Sequence, residues 1–249
     1  MNRTLKQFAF GSTYLAILAL IAGGVYFLYL KPTPTCTDNR QNQKEAGIDC
    51  GGPCTPCELK ELKLITEEVK FFPAGPNQIT LVAEVRNPSP DFSAQFSYQF
   101  ELGSSSFNQS SKLRGKSLID AQTAKYIVIP ALPVGREDIG SIDFNISEFT
   151  WQERPSLPDI QIRRETTIDG KRIVISGILQ NGSPSNISAV NLQALLFDRE
   201  DRILNASVTR LEGVPAFGEK EFSIFFPEVE GLIQNLNPEK TAIQWDLNE

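Results

Sequence analysis

Across 249 residues the chain has no histidine, and its one methionine is Met1. The missing imidazole excludes Ser-His-Asp and Cys-His nucleophilic catalysis, histidine zinc sites and histidine pH switching. Positive charge is also scarce: Lys and Arg number 24 against 30 Asp and Glu, a net charge of -6. The densest basic pair, Arg163-Arg164, reads as solvated surface, so no nucleic-acid partner is expected. No glycine-rich loop is placed to cradle phosphate, since Gly23-Gly24 lies in an apolar run and Gly51-Gly52 lies among cysteines. Ser104-Ser105-Ser106 has no base beside it. The carboxylate pairs Glu67-Glu68, Glu137-Asp138 and Glu228 with Glu230 occupy polar segments, and a glycosidase needs two carboxylates across a cleft. The chain is therefore read as a non-enzyme with no catalytic residue.

What is present begins with an apolar run. Phe8 to Leu30 carries no charge and is long enough to span a hydrocarbon core of about 30 Å. It exceeds the apolar region of a cleaved signal peptide, and its small residues Ala22-Gly23-Gly24 are followed by more apolar sequence. An uncleaved signal-anchor is expected over 8–30, with 1–7 in the cytoplasm. Arg3 and Lys6 precede the span, and the positive-inside rule then puts everything after it outside the cytoplasm. Tyr26 and Tyr29 suit an interfacial aromatic belt. The stretch 31–35, Lys-Pro-Thr-Pro-Thr, reads as a stiff tether.

All four cysteines, Cys36, Cys50, Cys54 and Cys57, fall within residues 36–57. In an oxidising compartment an even number of close cysteines implies disulfides. Two pairings fit equally: Cys36–Cys54 with Cys50–Cys57, or Cys36–Cys50 with Cys54–Cys57. A four-thiolate zinc site is the competing reading. A thioredoxin-like redox pair lacks its βαβ setting. Gly51-Gly52 lets the chain reverse tightly so that neighbouring cysteines can meet. Between Cys36 and Cys50 stand the oxygen-bearing residues Asp38, Asn42, Glu45 and Asp49, a composition able to hold calcium without matching EF-hand spacing. The bland alternative is a solvated loop. No other cofactor is expected.

The pattern Cys-x-Asp-x3-Asn-x2-Glu-x-Gly-x-Asp-Cys-Gly-Gly-x-Cys-x2-Cys resembles a short cysteine module of secreted and surface proteins. Cys36, Asp38, Asn42, Glu45, Gly47, Asp49, Cys50, Gly51, Gly52, Cys54 and Cys57 match it. The resemblance implies an extracellular disulfide-knotted spacer.

Downstream, alternating apolar runs dominate: 79–85, 96–102, 126–129 and 141–146. They predict an all-β fold with turns between short strands. The second half repeats the first. LVAEVRNPSP (81–90) aligns with ISGILQNGSP (175–184), sharing Asn87/Asn181, Ser89/Ser183 and Pro90/Pro184. The same offset superposes Phe96, Tyr98, Phe100 and Leu102 on Val190, Leu192, Ala194 and Leu196, and Trp151 on Trp245. Leu62–Leu64 and Ile160–Ile162 read as the matching first strands. Two tandem immunoglobulin- or fibronectin-III-like sandwiches are expected, over 58–152 and 160–249, joined by the proline-bearing linker 153–159. Asn87 and Asn181 are expected to cap turns, and the tryptophans to pack on last strands. Sequons occur at Asn108, Asn145, Asn186 and Asn205.

The run 175–183, then 192–201 with Phe197-Asp198, then Gly218-Glu219-Lys-Glu-Phe222, resembles the FxLYD-type domain. Both copies more distantly resemble late-embryogenesis-abundant-type sandwiches. The family has Leu-Tyr-Asp where Leu196-Phe197-Asp198 stands, and Asp-Gly where Glu200-Asp201 stands. The resemblance implies a non-catalytic β-sandwich and, with the cysteine module, a prokaryotic envelope. A membrane-anchored protein with a binding, scaffolding or structural role is expected, with an envelope protein as partner. The alternative is a calcium- or solute-binding ectodomain.

Overall fold

A computed structural model describes residues 3–26, 35–104, 110–153 and 157–247. The chain divides into two compact units, Met1–Lys60 and Glu61–Glu249.

In the first unit, helix α1 spans Arg3–Val25. Its sequence is free of proline, and its Ala and Leu residues favour helix, against the opposing preference of Gly11, Gly23 and Gly24. Gln7–Val25 is long and apolar enough to cross a membrane and buries nothing against protein. The hydroxyls of Ser12 and Thr13 donate back to the Ala9 carbonyl, which satisfies both inside the helix, as an apolar solvent requires. Residues 27–34, comprising the end of the expected span, Tyr29 and most of the tether, lie outside the described residues. The cysteine module ends in a single 3-10 turn, Cys57–Leu59, with Leu59 buried.

Among the described residues the second unit has thirteen strands: β1 (Ile65–Thr66), β2 (Lys70–Gly75), β3 (Gln78–Arg86), β4 (Phe92–Ser104), β5 (Ser110–Ile119), β6 (Ala124–Leu132), β7 (Ile139–Glu153), β8 (Ile160–Asp169), β9 (Arg172–Asn181), β10 (Ile187–Phe197), β11 (Ile203–Val214), β12 (Glu219–Phe225) and β13 (Ala242–Asp246). A one-turn helix α2 (Leu232–Asn235) precedes the last. β-Branched and aromatic residues dominate these runs, which suits a pleated, half-buried surface. The first strand begins at Ile65; Leu62–Leu64 is not strand.

Among the described residues all strand pairing is antiparallel, in four sheets. β3 runs between β6 on one edge and both β1 and β2 on the other, and β4 runs between β5 and β7. β9 runs between β8 and β12, and β10 between β11 and β13. The strand order is thus the same in both halves. Trp151 on β7 stands opposite Ala94, and Trp245 on β13 opposite Leu192. Each is partly buried against the core of its own half.

Three apolar clusters hold the layers together. One joins the β3 and β4 sheets through Leu81, Val85, Phe96, Phe100 and Ile127. A second joins the β9 and β10 sheets through Ile175, Leu179, Leu192, Leu196 and Ile224. The third is shared: Val82 and Val128 from the first half meet Leu195, Ile203 and Ala206 from the second. The sheets therefore stack in the order β4, β3, β10, β9. Strand alternation explains how one strand serves two clusters. On β3, Leu81, Ala83 and Val85 face one neighbour and Val82 the other, so all of 79–85 is buried. On β10, Leu192, Ala194 and Leu196 fill the second half's core while Leu195 fills the shared cluster. Two of the three clusters each lie within one half of the sequence, and the third ties the halves into the one compact unit Glu61–Glu249.

Tyr126 lies in this shared layer, its ring 6.4 Å from that of Phe197. Burial, and then the neighbouring Glu84 carboxylate, push its phenol up to about 12 from an ordinary 10.0, against the opposing pull of Arg86. The neutral phenol is thus favoured by folding. The resulting stability is present below pH 10 and lost as pH rises toward 12. Melting midpoints should fall over that window, and Tyr126→Phe should flatten the slope; Tyr98, raised by burial and by Asp246, supplies part of what remains.

Candidate functional site

The cysteine module concentrates the sequence's most specific pattern, and the structure resolves its pairing. Cys36 bonds Cys54 and Cys50 bonds Cys57, leaving no free cysteine. With every sulfur in a disulfide, no thiolate remains for zinc. The paired glycines are needed sterically. Gly51 and Gly52 take φ values of 77° and 62°, and a Cβ on Gly52 would stand 2.5 Å from the Lys44 carbonyl oxygen.

Asp38, Asn42, Glu45 and Asp49 all lie on this module, but most of their oxygens are directed at donors of the loop itself. Asp49 accepts from the backbone N–H groups of Asp38 and Asn39 at 3.0–3.1 Å. Asp38 accepts from the Arg40 N–H and from the Asn42 amide at 2.9 and 2.8 Å. Burial pushes the Asp38 carboxyl up, but hydrogen bonds from the Asn42 amide and from the backbone of Arg40 and Thr35 outweigh it and hold it below the usual carboxylate range. Buried Glu45 accepts from the Asn42 N–H at 2.9 Å, and its other oxygen lies 3.1 Å from the Cys54 sulfur. Glu45 groups with Cys36 and Cys54 within 4.8 Å; among the described residues the three carboxylates form no such group with one another. Two oxygens are left over: Glu45 Oε1, facing the disulfide, and Asn42 Oδ1, which is buried and has no hydrogen-bond partner.

In the second unit the sequence-marked residues do local structural work. Asn87 and Asn181 are buried at corresponding corners. Each side-chain oxygen accepts from the N–H two residues on, Ser89 or Ser183. Each amide donates to two carbonyls, Phe92 and Asp120 for Asn87, Ser185 and Pro215 for Asn181. These are the expected turn caps, with an added bond across the sandwich that spacing alone did not reveal. Asp198 closes the β10–β11 turn, accepting from the Glu200 and Arg202 N–H groups and from the Arg202 guanidinium. Gly177 lets β9 pass beneath the Phe222 ring, where a side chain would clash.

The sequons divide. Asn205 is buried, its amide donating to the Pro73 carbonyl and its oxygen accepting from Ala206. Asn145 and Asn186 are exposed. Asn108 lies outside the described residues, as do Ser105 and Ser106. Of the carboxylate pairs, Glu67 binds Arg86 and Glu228 binds Arg172 in exposed ion pairs, and Glu137-Asp138 lies in a 3-10 turn, Arg136–Asp138.

No family model matches the chain, and no curated protein matches it. Among solved structures, one chain described as "Chaperone-tip adhesin complex is vital for synergistic activation of CFA/I fimbriae biogenesis" is similar at 12% identity, covering 72% of this chain and 98% of its own, with a TM-score of 0.21. A likeness that slight carries no argument about fold or role.

Proposed function

We propose that this is a single-pass membrane protein anchored by residues 8–30, with its N-terminus in the cytoplasm and its all-β region outside it. In that reading 61–249 is a tandem pair of FxLYD-like sandwiches that binds or scaffolds another envelope protein without catalysis. The observation that carries it is the order of parts: a helix able to cross a membrane, then a module whose every cysteine is in a disulfide. Disulfides persist in oxidising compartments, which supports a module on the far side of the span. The absence of histidine from the sequence supports a non-catalytic role.

The test is photo-crosslinking in intact cells, with the crosslinker incorporated in turn at the exposed Phe217 and Phe225 of the full chain. One envelope protein captured in about equal amount is the expected result. Adducts to lipid alone would overturn the binding role.

Calcium binding by the module is the second reading, favoured by the partnerless Asn42 oxygen beside Glu45. Against it stand the backbone donors already occupying Asp38 and Asp49. Calorimetric titration of the full chain in detergent separates the two. The first reading predicts no heat with calcium, and the second predicts saturable heat abolished by Glu45→Gln.

A further inference from the structure

A strand at a sheet edge leaves backbone N–H and C=O groups open to another strand. Proteins blunt such edges with cationic side chains, with proline or by keeping the strand short. Among the described residues the edge strands of 61–249 follow that rule with one exception. β2 has Lys70 and Pro73, β5 has Lys112, Arg114 and Lys116, and β6 has Lys125 and Pro130. β8 has Arg163 and Arg164, β11 has Arg210 and β12 has Lys220. β1 is two residues long and β13 five. On β6 the Gln244 amide adds a cover: its oxygen accepts from the Tyr126 N–H at 2.8 Å, and its nitrogen donates to the Ala124 carbonyl at 3.1 Å.

The exception is β7. It runs for 15 residues without a Lys, an Arg or a Pro. It pairs with β4 on one side, and among the described residues its main chain makes no hydrogen bond on the other. A register shift at Ser147 is its one blunting feature, and it leaves regular stretches over 141–146 and 148–153. β13 takes the corresponding place beside β10 with five residues, so the shared strand order does not require the length of β7.

Both faces of β7 are unfinished at this edge. On the core side, Ile142, Phe144, Ile146, Phe149 and Trp151 pack against the first half's cluster but stay partly exposed. Their neighbours on β4, such as Phe100 opposite Phe144 and Ala94 opposite Trp151, are fully buried. On the outer side, Asp143 and Glu148 are exposed, and among the described residues neither is in an ion pair. The cations of that face, Lys112 and Arg114, are held over β5 by Glu101 and Gln99.

We propose that the free edge of β7 takes an added strand from the bound protein, an extended segment that alternates aliphatic residues with Lys or Arg. The added strand rests on the binding role proposed above and gives it a surface. Main-chain hydrogen bonds supply the grip in such pairing, and alternate side chains supply the selectivity. Aliphatic residues on one face cover the exposed flanks of Ile142, Phe144 and Ile146, while cations on the other meet Asp143 and Glu148. A second copy of the chain fits less well. β7 against β7 sets carboxylates on both sides of the join. β5 has the cations, but Gly115 and Ser117 between them are too small to cover the apolar row.

The test measures hydrogen exchange of the full chain in non-ionic detergent micelles with millimolar capped octapeptide. One peptide alternates Lys with Val and the other alternates Glu with Val. The Lys peptide should slow the β7 amides not bonded to β4 by about tenfold once nine-tenths of the edge is occupied, since exchange then proceeds from the free fraction. The amides of β8 and β12 should be unchanged, and the Glu peptide should slow none. Asp143→Lys/Glu148→Lys changes two exposed residues and should reverse the preference. No slowing at β7, equal slowing at β8 and β12, or the same response to both peptides overturns the proposal. So does β7 protection without peptide in a chain that sediments as a dimer, which would assign the edge to a second copy. Capture of an envelope protein at Phe217 or Phe225 alongside an unprotected β7 would remove the added strand and leave the binding role standing.

Discussion

Leu195→Ala lowers the stability of residues 61–249 by about 2–5 kcal/mol, a fall in melting midpoint of roughly 4–20 °C for a unit of this size. The reason is position. Leu195 is fully buried and packs with Val82, Val128, Ile203 and Ala206 between the β3 and β10 sheets. Truncation removes the transfer free energy of three carbons and leaves a void that two stiff sheets cannot close. If the halves were separate beads, Leu195 would face water, and its loss would cost no more than about 0.5 kcal/mol. A chemical melt of wild type and variant at one temperature distinguishes the two. A midpoint shift inside the lower range would mean that the shared cluster does not form.

Cys36→Ser/Cys54→Ser, with the other bridge intact, unfolds the cysteine module. The module buries few side chains, Glu45, Cys50, Cys54 and Leu59 among them, too few for an apolar core to hold its turns. Closing an 18-residue separation by a bond contributes about 2–5 kcal/mol, most of it by restricting the unfolded chain. The expected result is rapid proteolysis within 36–57, against resistance in wild type, while the β-sheet circular dichroism of 61–249, which contains no cysteine, is unchanged. Mass spectrometry of the wild-type protein should show the Cys36–Cys54 and Cys50–Cys57 links, and free thiol at any of the four positions would contradict the pairing.

Much of this was legible in sequence because it depends on local pattern. The apolar run before the first proline marks the helix, and period-two alternation marks β3, β4, β6 and β7. Asn87 and Asn181 announce their turns because an Asn side chain caps its own backbone. The disulfide pairing was not legible, since four cysteines in a short loop admit several closures and only three-dimensional placement selects one. Nor was β5, whose SSKLRGKSLI is mostly polar and is a strand because β4 offers it an edge.

The shared layer left a trace that alternation alone does not use. Leu81-Val82-Ala83 and Ala194-Leu195-Leu196-Phe197 are apolar at both parities, as strands covered on two faces are. That run signals a second cover without saying what supplies it. The role of Gln244 left no trace, because an amide on a strand reads as solvated until a neighbouring edge is found beside it. For the calcium reading, composition placed Asp38 and Asp49 among oxygen ligands, whereas the backbone folds so that its own N–H groups reach their carboxylates first.

The most direct test of the account is which side of the membrane the cysteines face, and in what state. Intact protoplasts expressing the full chain are treated with a membrane-impermeant maleimide, with and without prior exposure to an impermeant phosphine reductant. The account predicts no labelling before reduction and labelling of Cys36, Cys50, Cys54 and Cys57 after it, without permeabilisation. Labelling without reductant, or only once the membrane has been opened, would contradict it.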